Sequence, residues 1–486
     1  MPPPSPDDAS PHHRPALRNF IVITTVLFAI VAGFYWMENS GGQRAWDQEK
    51  ARLAAAGESL DLADFFPDPS SVPEQENGAS LSIFTDDSML DGQFSPWVIF
   101  ADPPDFFYYV TWYEGNGPEF RAIAEALKNS STPTDSLTDS ECARIVLDGL
   151  AVYDASFSAI SEVLSRPLFV TSERSYYVTE EFARMATLRA LCHIVLGQSE
   201  EAKDDIISIL QSRRFTPNLT LYSLFTTQIL IADELHALWF GLAKGSWKPS
   251  DLLAIEAELA AIAPKEMLLR ALPRERAVFC SELEFFLADR SLVVDQLYCR
   301  GSDVLPYDFG MGWQFNRFAT SIMLRFMPTG WFRQNQAFYV TETDRLIRAI
   351  ASGAYAPPAS STSSSSPYTW LADPTLESLP YQWQIKRHLE AILAQARTAI
   401  AIELFRQSSG HLPASLTELS PAPPPDPMTG APLLYQRVDD SRYKLWSVAT
   451  NGIDDGGETG TVFARHRALD WVWQSWINEE TEKADN

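Results

Sequence analysis

The residues best placed to bind a ligand lie in an acidic, glycine-rich stretch near the C-terminal end of the sequence. From Asn451 to Glu458 the chain reads NGIDDGGE, in which glycines that permit a tight turn flank the carboxylates of Asp454 and Asp455. Hard oxygen ligands gathered on such a turn are what Ca²⁺ takes in proteins. Asp454 and Asp455 are therefore candidate calcium ligands, and an ordinary solvated turn is the alternative.

Other polar groups carry weaker signals for chemistry. Asp233 and His236 are three residues apart, which puts them on one face of a helix where they could serve a metal, but a third ligand is not identifiable. His193 lies within an apolar run, as expected of a packed helix. The motifs HExxH and GxSxG, a phosphate-binding glycine loop and a dinucleotide fingerprint are all missing. We predict no catalytic residues and no cofactor other than calcium.

The four cysteines do not have the spacing of a metal or redox site. Cys142, Cys192, Cys280 and Cys299 form no CxxC pair and lie on apolar, helix-like segments. In an oxidising compartment, Cys280 with Cys299 is the pair to test for a disulfide. Buried free thiols are the open alternative.

The composition is that of a folded protein with an acidic surface. The chain has 486 residues, of which 45% are hydrophobic and 12% aromatic, so it can bury a core in more than one domain. Its formal net charge of -25 argues against nucleic acid and anionic lipid headgroups as partners.

An apolar segment near the N-terminus is long enough to cross a membrane. Phe20 to Met37 reads FIVITTVLFAIVAGFYWM without a charge, which with its flanks meets the requirement of about twenty residues. Tyr35 and Trp36 suit the membrane interface. The rival interpretation is a cleaved signal peptide, but its apolar core would end in small residues. We predict an uncleaved transmembrane helix at 19–38.

The orientation of that helix follows from the charges beside it. Arg14 and Arg18 abut its N-terminal end, whereas the basic residues that follow the helix are interleaved with acidic ones. We therefore expect a single-pass protein of the cytoplasmic (inner) membrane, with the N-terminus in the cytoplasm and a C-terminal ectodomain outside.

The chain is predicted to be a mainly α protein, and its composition divides it into seven segments. We predict, in order, a disordered cytoplasmic tail at 1–18, the transmembrane helix, a juxtamembrane arm and mixed region at 39–140, a helical domain at 141–350, a Ser/Pro-rich linker at 351–372, an α+β module at 373–478 and a disordered tail at 479–486.

The helical domain is predicted to be a large antiparallel scaffold. Its segment MATLRALCHIVLGQSEEAKDDIISIL resembles a tetratricopeptide-type hairpin, in which Gly197 ends one helix, Ser199 caps the next and Ala202 takes the close-packed position. No second clear copy follows, so an array is not predicted. Further helices are expected at 219–242, 249–262 and 274–288, with Pro264 as a terminator.

The C-terminal module changes from helical to alternating periodicity. A helix pattern over 381–405 is followed by two strand patterns, 433–438 and 443–448, which a short polar turn separates. Helix, proline turn, hairpin and acidic glycine loop together predict a small α+β fold.

Several short motifs of this module occur in the order of a known family. AIAIELFRQSSGHLPASLTEL, then Asp426 to Gly430 (DPMTG), YKLWSV and NGIDDGG resemble the globular part of type II secretion major pseudopilins, over about residues 398 to 460. The resemblance implies calcium near Asp454 and Asp455. The family's anchor follows a peptidase site and carries a glutamate near its start, and Phe20 to Met37 has neither. Pilus-like assembly is therefore not implied.

The whole chain resembles large bacterial single-pass proteins that join such an ending to a helical ectodomain. The motif GWFRQNQ from Gly330 to Gln336 and the arm from Val72 to Ala79 fit that group. We expect a membrane-anchored envelope protein with a structural or protein-interaction role, contacting the membrane through 19–38 and other envelope proteins through its ectodomain. The alternative is an envelope hydrolase with a cleft in the helical domain.

Overall fold

The structure is a computed structural model, which describes residues 13–85, 115–127, 137–170, 176–215, 221–290, 323–354, 366–458 and 469–478. Within these ranges the chain is mainly helical and has a small antiparallel sheet of three strands. The predicted tail at 479–486, residues 1–12 of the N-terminal tail, residues 355–365 of the linker, and residues 86–114 and 128–136 of the mixed region lie outside the described residues.

The longer helices and the strands, labelled in chain order, account for most of the described chain. The helices are α1 (His13–Ala55), α2 (Phe120–Leu127), α3 (Asp139–Leu150), α4 (Asp154–Ser165), α5 (Tyr176–Val195), α6 (Ser199–Ser212), α7 (Leu221–Lys244), α8 (Pro249–Ala260), α9 (Pro264–Ala288), α10 (Thr329–Ala351) and α11 (Asp373–Ser409). The strands are β1 (Leu434–Arg437), β2 (Tyr443–Ser447) and β3 (Trp471–Gln474).

Shorter helical turns connect some of these elements. They are the four-residue helices Leu62–Phe65 and Ser82–Thr85, a turn at 323–326, and the 3₁₀ segments Pro69–Ser71, Gly78–Ser80, Ala151–Tyr153, Arg213–Phe215 and Leu416–Glu418.

The apolar segment belongs to a single helix that continues well beyond it. Among the described residues, α1 is the one helix long and apolar enough to cross a membrane. The predicted transmembrane helix ends at residue 38, whereas α1 runs unbroken through Gly41 and Gly42 to Ala55. The apolar side chains of its first half are exposed, as Phe28 shows with 74% of its surface accessible.

The chain forms two compact units, each made of separate segments. Unit 1 consists of Met1–Leu60, Arg276–Arg348 and Pro358–Ser378, and unit 2 of Asp61–Glu275, Ala349–Pro357 and Leu379–Asn486. The long helices α9 and α11 each contribute residues to both units.

Unit 1 is organised around two helices that run in the same direction. Near the start of α10, the Gly330 N–H donates to Asn39 Oδ1 at 2.9 Å, and fourteen residues later Asp344 pairs with Arg52. From the first contact to the second, the residue number increases in both α1 and α10, so the two helices run parallel. The second half of α9 completes the unit, with the rings of Phe279 and Tyr339 stacked at 4.0 Å.

Unit 2 contains the helices α2 to α8, which pack in pairs. Helix α5 contacts α3, α6 and α7, and α6 also contacts α8. Gly197 lies between α5 and α6 with φ of 74°, the left-handed conformation that favours glycine at a helix end. The predicted cap at Ser199 is wrong by one position, because Ser199 is the first helical residue and Gln198 precedes it without a side-chain cap bond.

Prolines in unit 2 begin helices more often than they end them. Pro249 is the first residue of α8, as its position before Ser250 and Asp251 predicts. Pro264 was expected to be a terminator, but it begins α9, where its missing N–H costs no hydrogen bond. Helix α9 starts ten residues earlier than the predicted 274–288 and therefore contains Pro273 in its interior.

The sheet holds the predicted hairpin and one further strand. β1 pairs antiparallel with β2, and β2 pairs antiparallel with β3, with Leu445 opposite Trp473. Both of these side chains are fully buried. The turn between β1 and β2 is closed by Asp439, whose Oδ1 accepts the N–H groups of Ser441 and Arg442 at 2.8 Å each.

The DPMTG motif forms a closed turn beside the sheet. Asp426 is almost fully buried, and its Oδ1 accepts from the Met428 N–H at 2.9 Å and from Ser447 Oγ on β2 at 2.7 Å. Its backbone carbonyl accepts the Gly430 N–H at 2.8 Å. Gly430 has φ of 72°, so the turn requires a residue that tolerates the left-handed region.

Candidate functional site

The acidic glycine loop follows β2 and is held by its own carboxylates. Asp454 Oδ1 accepts from the indole Nε1 of Trp446 at 3.0 Å and from the Gly456 N–H at 2.9 Å. Asp455 Oδ2 accepts from the side-chain amide of Asn451 at 3.1 Å. The two predicted calcium ligands thus lie on one loop, and each already accepts a hydrogen bond there.

A third carboxylate, that of Asp470, was not predicted from the sequence and also supports this loop. Asp470 is 1% exposed, and its Oδ2 accepts the N–H groups of Asp455 and Gly457 at 3.0 and 2.9 Å. Its Oδ1 is buried without a hydrogen-bond partner. Asp470 lies fifteen residues beyond Asp455, directly before β3, and no local motif marks it in the sequence.

The electrostatics of this loop favour a proton or a cation at Asp470. Burial raises the pKa of Asp470 above its ordinary value, and the neighbouring charges of Asp454 and Asp455 raise it further, against the lowering effect of its two backbone hydrogen bonds. A buried carboxylate oxygen without a donor is costly unless a proton or a cation meets it. The described residues contain no group of three or more His, Cys, Asp or Glu side chains arranged to hold a metal, so calcium stays a prediction.

The end of the apolar segment forms a second site of buried polar contacts, in unit 1. Glu38 is only 8% exposed, and its carboxylate accepts from Trp331 Nε1 at 2.9 Å and from the Tyr368 hydroxyl at 3.3 Å. The backbones of α1 and α10 meet here, because a Cβ on Gly42 would overlap the Gly330 carbonyl, and one on Gly330 would overlap the Glu38 carbonyl. Only glycine permits this approach.

The rest of the GWFRQNQ motif fixes the start of α10 within unit 1. Asn335 is fully buried and uses all of its side-chain hydrogen-bonding groups: Nδ2 donates to the carbonyls of Trp331 and Pro367, and Oδ1 accepts from the N–H groups of Leu371 and Ala372. Gln336 Nε2 donates to the Cys280 carbonyl at 2.9 Å. The motif therefore has a structural role in the folded unit.

Four aromatic residues in and before the GWFRQNQ motif, Trp313, Phe315, Trp331 and Phe332, could form a binding patch or be ordinary core residues. Phe332 is fully buried, under the guanidinium of Arg290 at 5.4 Å from the ring centroid. Trp331 is partly exposed at the junction with α1. Trp313 and Phe315 lie outside the described residues.

In unit 2 the buried ionisable side chains are held by packing. Burial lowers the pKa of His236 to about 3 and that of His388 to about 4, so both are neutral at physiological pH. Burial raises the pKa of Glu275 to about 7, and its Oε2 accepts the N–H of Leu221, the first residue of α7. Glu275 therefore acts as a cap for that helix. The side chain of Asp233, the suggested partner of His236, lies outside those that the structure describes.

The surroundings of His193 and of the described cysteines are those of residues with a structural role. His193 Nδ1 is 2.8 Å from Gln198 Oε1, and its ring lies 3.8 Å from the buried carboxylate of Asp205, which also pairs with Arg189. Cys142, Cys192 and Cys280 are buried. Cys299 lies outside the described residues, so the Cys280 to Cys299 disulfide stays a prediction.

The chain was compared with known protein families, with curated proteins and with solved structures. No match was found in any of the three comparisons. The likeness of the C-terminal module to major pseudopilins therefore stays a prediction, carried by the motifs quoted above.

Proposed function

We propose that this chain is a single-pass membrane protein whose folded units serve a structural or protein-binding role at the outer face of the cytoplasmic membrane. The observation that carries the proposal is the change in surroundings along α1. Up to Met37 its apolar side chains are exposed, whereas beyond that point Glu38, Gly42, Trp46 and Leu53 are buried in unit 1.

The spacing of those buried positions explains the change. They recur every four or seven residues, which places them on one face of a helix. The preceding eighteen residues have no such face, and apolar surface exposed to water costs about 25 cal/mol for each Å². A membrane covers an apolar helix on every side, which supports a transmembrane first half and a second half built into the ectodomain.

A crosslinking experiment tests the proposed binding role. The full chain, tagged after Asn486, is crosslinked in intact membranes and recovered under denaturing conditions, beside an unrelated single-pass protein with the same tag. We expect one or a few envelope proteins in amounts comparable to the bait and missing from the control. Recovery of nothing beyond the control would contradict a binding role. A reporter after Asn486 that is active in the cytoplasm would contradict the orientation.

Calcium is the ligand we propose for the acidic glycine loop. With its buried oxygen and the two nearby carboxylates, Asp470 supplies the oxygen chemistry that Ca²⁺ prefers. Saturating Ca²⁺ is expected to stabilise the full chain by about 1–3 kcal/mol through mass action, raising its melting temperature and giving heat in a calorimetric titration. Asp470→Asn, and Asp454→Ala with Asp455→Ala, should abolish the response.

The matched control for the calcium experiment is Asp440→Ala. Asp440 is fully exposed in the neighbouring hairpin turn and pairs only with Arg437 there, so this variant should keep the wild-type response. A melting temperature that Ca²⁺ does not change in the wild-type chain would contradict the calcium proposal.

A further inference from the structure

A short segment of unit 1 lies against the end of the apolar half of α1. The hydroxyl of Tyr35 donates to the backbone carbonyl of Phe326, in the helical turn at 323–326. The guanidinium of Arg290 also holds this turn, donating to the carbonyls of Arg325 and Met327 at 3.2 and 2.6 Å and to Thr329 Oγ1 at 2.9 Å. The turn is therefore fixed at the level of Tyr35.

This turn has one buried and one exposed apolar face. Leu324 and Met327 are buried, at 0% and 4% exposure. Phe326 and Met323 are 64% and 42% exposed, although both are large apolar side chains. On α1, Trp36, the residue that follows Tyr35, is 74% exposed. The exposed face of the turn thus continues the apolar surface of the proposed membrane helix.

The position of Tyr35 along α1 sets the depth of this face. At about 1.5 Å per residue, Phe20 to Met37 spans about 27 Å, close to the thickness of a hydrocarbon core. Tyr35 is two residues from its end, so its Cα lies about 3 Å inside the level where that core meets the headgroups, and the Phe326 carbonyl lies within the reach of the tyrosine side chain from there. Aromatic side chains are favoured at this level.

Neighbouring rings extend the same surface around α1. Trp331 lies edge-on to Phe34 at 6.3 Å between ring centroids and to Tyr368 at 6.2 Å. The polar tips of Trp331 and Tyr368 are turned to Glu38, one residue beyond Met37. Their arrangement, with apolar rings beside the apolar helix and polar tips beyond it, is the one that interfacial aromatic residues adopt.

We propose that Phe326 and Met323 insert into the interfacial layer of the membrane that α1 crosses, so that unit 1 contacts the lipid at a second point. This inference rests on the proposed transmembrane role of α1. Contact through both α1 and the turn at 323–326 fixes the orientation of unit 1 on the membrane surface, whereas contact through α1 alone leaves unit 1 free to tilt.

Lipid-borne quenching tests the contact. The full chain is reconstituted into phosphatidylcholine vesicles with an environment-sensitive fluorophore attached at Phe326→Cys, and quenched with phosphatidylcholine that carries a nitroxide near its headgroup. Trp36→Cys is the positive reference, and the unsubstituted chain is the blank for the native cysteines. Arg348→Cys is the negative reference, since it is exposed and lies four residues beyond Asp344, the partner of Arg52.

We expect a loss of fluorescence at position 326 comparable to that at position 36, and none at position 348. Quenching at 36 without quenching at 326 would overturn the second contact and leave the anchor intact. Absence of quenching at 36 would overturn the transmembrane role and, with it, this inference. Energy transfer between probes at 326 on separately labelled copies, in vesicles diluted with excess lipid, would assign the face to a second copy and overturn the lipid contact.

Discussion

Replacing Arg276 with methionine is expected to destabilise unit 1 by about 3 kcal/mol or more, because the change leaves a buried carboxylate short of its counter-charge. Arg276 is fully buried and pairs with Asp344, whose side chain is only 5% exposed, and with Glu58. Arg52 also pairs with Asp344 but is 40% exposed, so it compensates only in part. Urea unfolding of the detergent-solubilised chain, followed by tryptophan fluorescence, measures the loss.

The control is Arg348→Met in α10, the helix that carries Asp344. Arg348 is exposed, and a substitution at an exposed position usually changes the free energy of unfolding by no more than about 0.5 kcal/mol, so this variant should unfold at almost the wild-type urea concentration. Adding Asp344→Asn to Arg276→Met should recover part of the loss, because it removes the buried charge that was left behind. Equal effects of Arg276→Met and Arg348→Met would contradict a buried ion network.

Gly42→Ala and Gly41→Ala are expected to have opposite effects, although the two glycines are adjacent in α1. A Cβ on Gly42 would overlap the backbone of Gly330, which can move only if α10 moves, so overpacking should cost about 1–3 kcal/mol. A Cβ on Gly41 meets no atom within 4 Å. There the better helix propensity of alanine should stabilise the chain by about 0.5–1 kcal/mol.

The comparison of these two variants tests whether α1 and α10 are packed as described. Urea unfolding should place the Gly42→Ala transition below that of the wild-type chain and the Gly41→Ala transition at or above it. Gly330→Ala should behave like Gly42→Ala, since its Cβ would overlap the Glu38 carbonyl. Similar transitions for all three variants would show that the glycine contact is not formed.

The elements that local sequence rules define were predicted well. Eighteen uncharged apolar residues identify the segment that becomes the first half of α1, and alternation around a polar turn identifies β1 and β2. In both cases the spacing of the apolar residues follows directly from the structure that removes their surface from water. Pro249 at the start of α8 is of the same kind, because its fixed φ suits a first helical turn.

Features that depend on distant partners were not predictable. A pair of glycines in a helix ordinarily weakens it, and the predicted transmembrane helix ends at residue 38. Helix α1 nevertheless continues through Gly41 and Gly42, where Gly42 permits the close approach to Gly330, far along the chain. In the same way, Pro380 lies inside α11, which begins at Asp373 and not at the predicted 381. Tertiary packing overrides the local preference at such positions.

For the same reason, only part of the candidate site was predicted from the sequence. Asp454 and Asp455 stand out because glycines surround them, whereas Asp470 is a single acidic residue without a local motif. Its role becomes visible only when the chain folds back and its carboxylate reaches the N–H groups of Asp455 and Gly457. The function of GWFRQNQ was likewise hidden, since the partners of Asn335 and Trp331 lie on other segments of unit 1.

Accessibility along α1 tests the central claim, that one continuous helix lies in a membrane with its first half and in unit 1 with its second. In opened membrane vesicles, Phe28→Cys and Ala54→Cys are treated with a membrane-impermeant maleimide, with the unsubstituted chain as blank. Both positions are exposed in the folded chain, so the protein itself protects neither. We predict labelling at 54 and none at 28, where lipid excludes the reagent. Equal labelling at the two positions would contradict the claim.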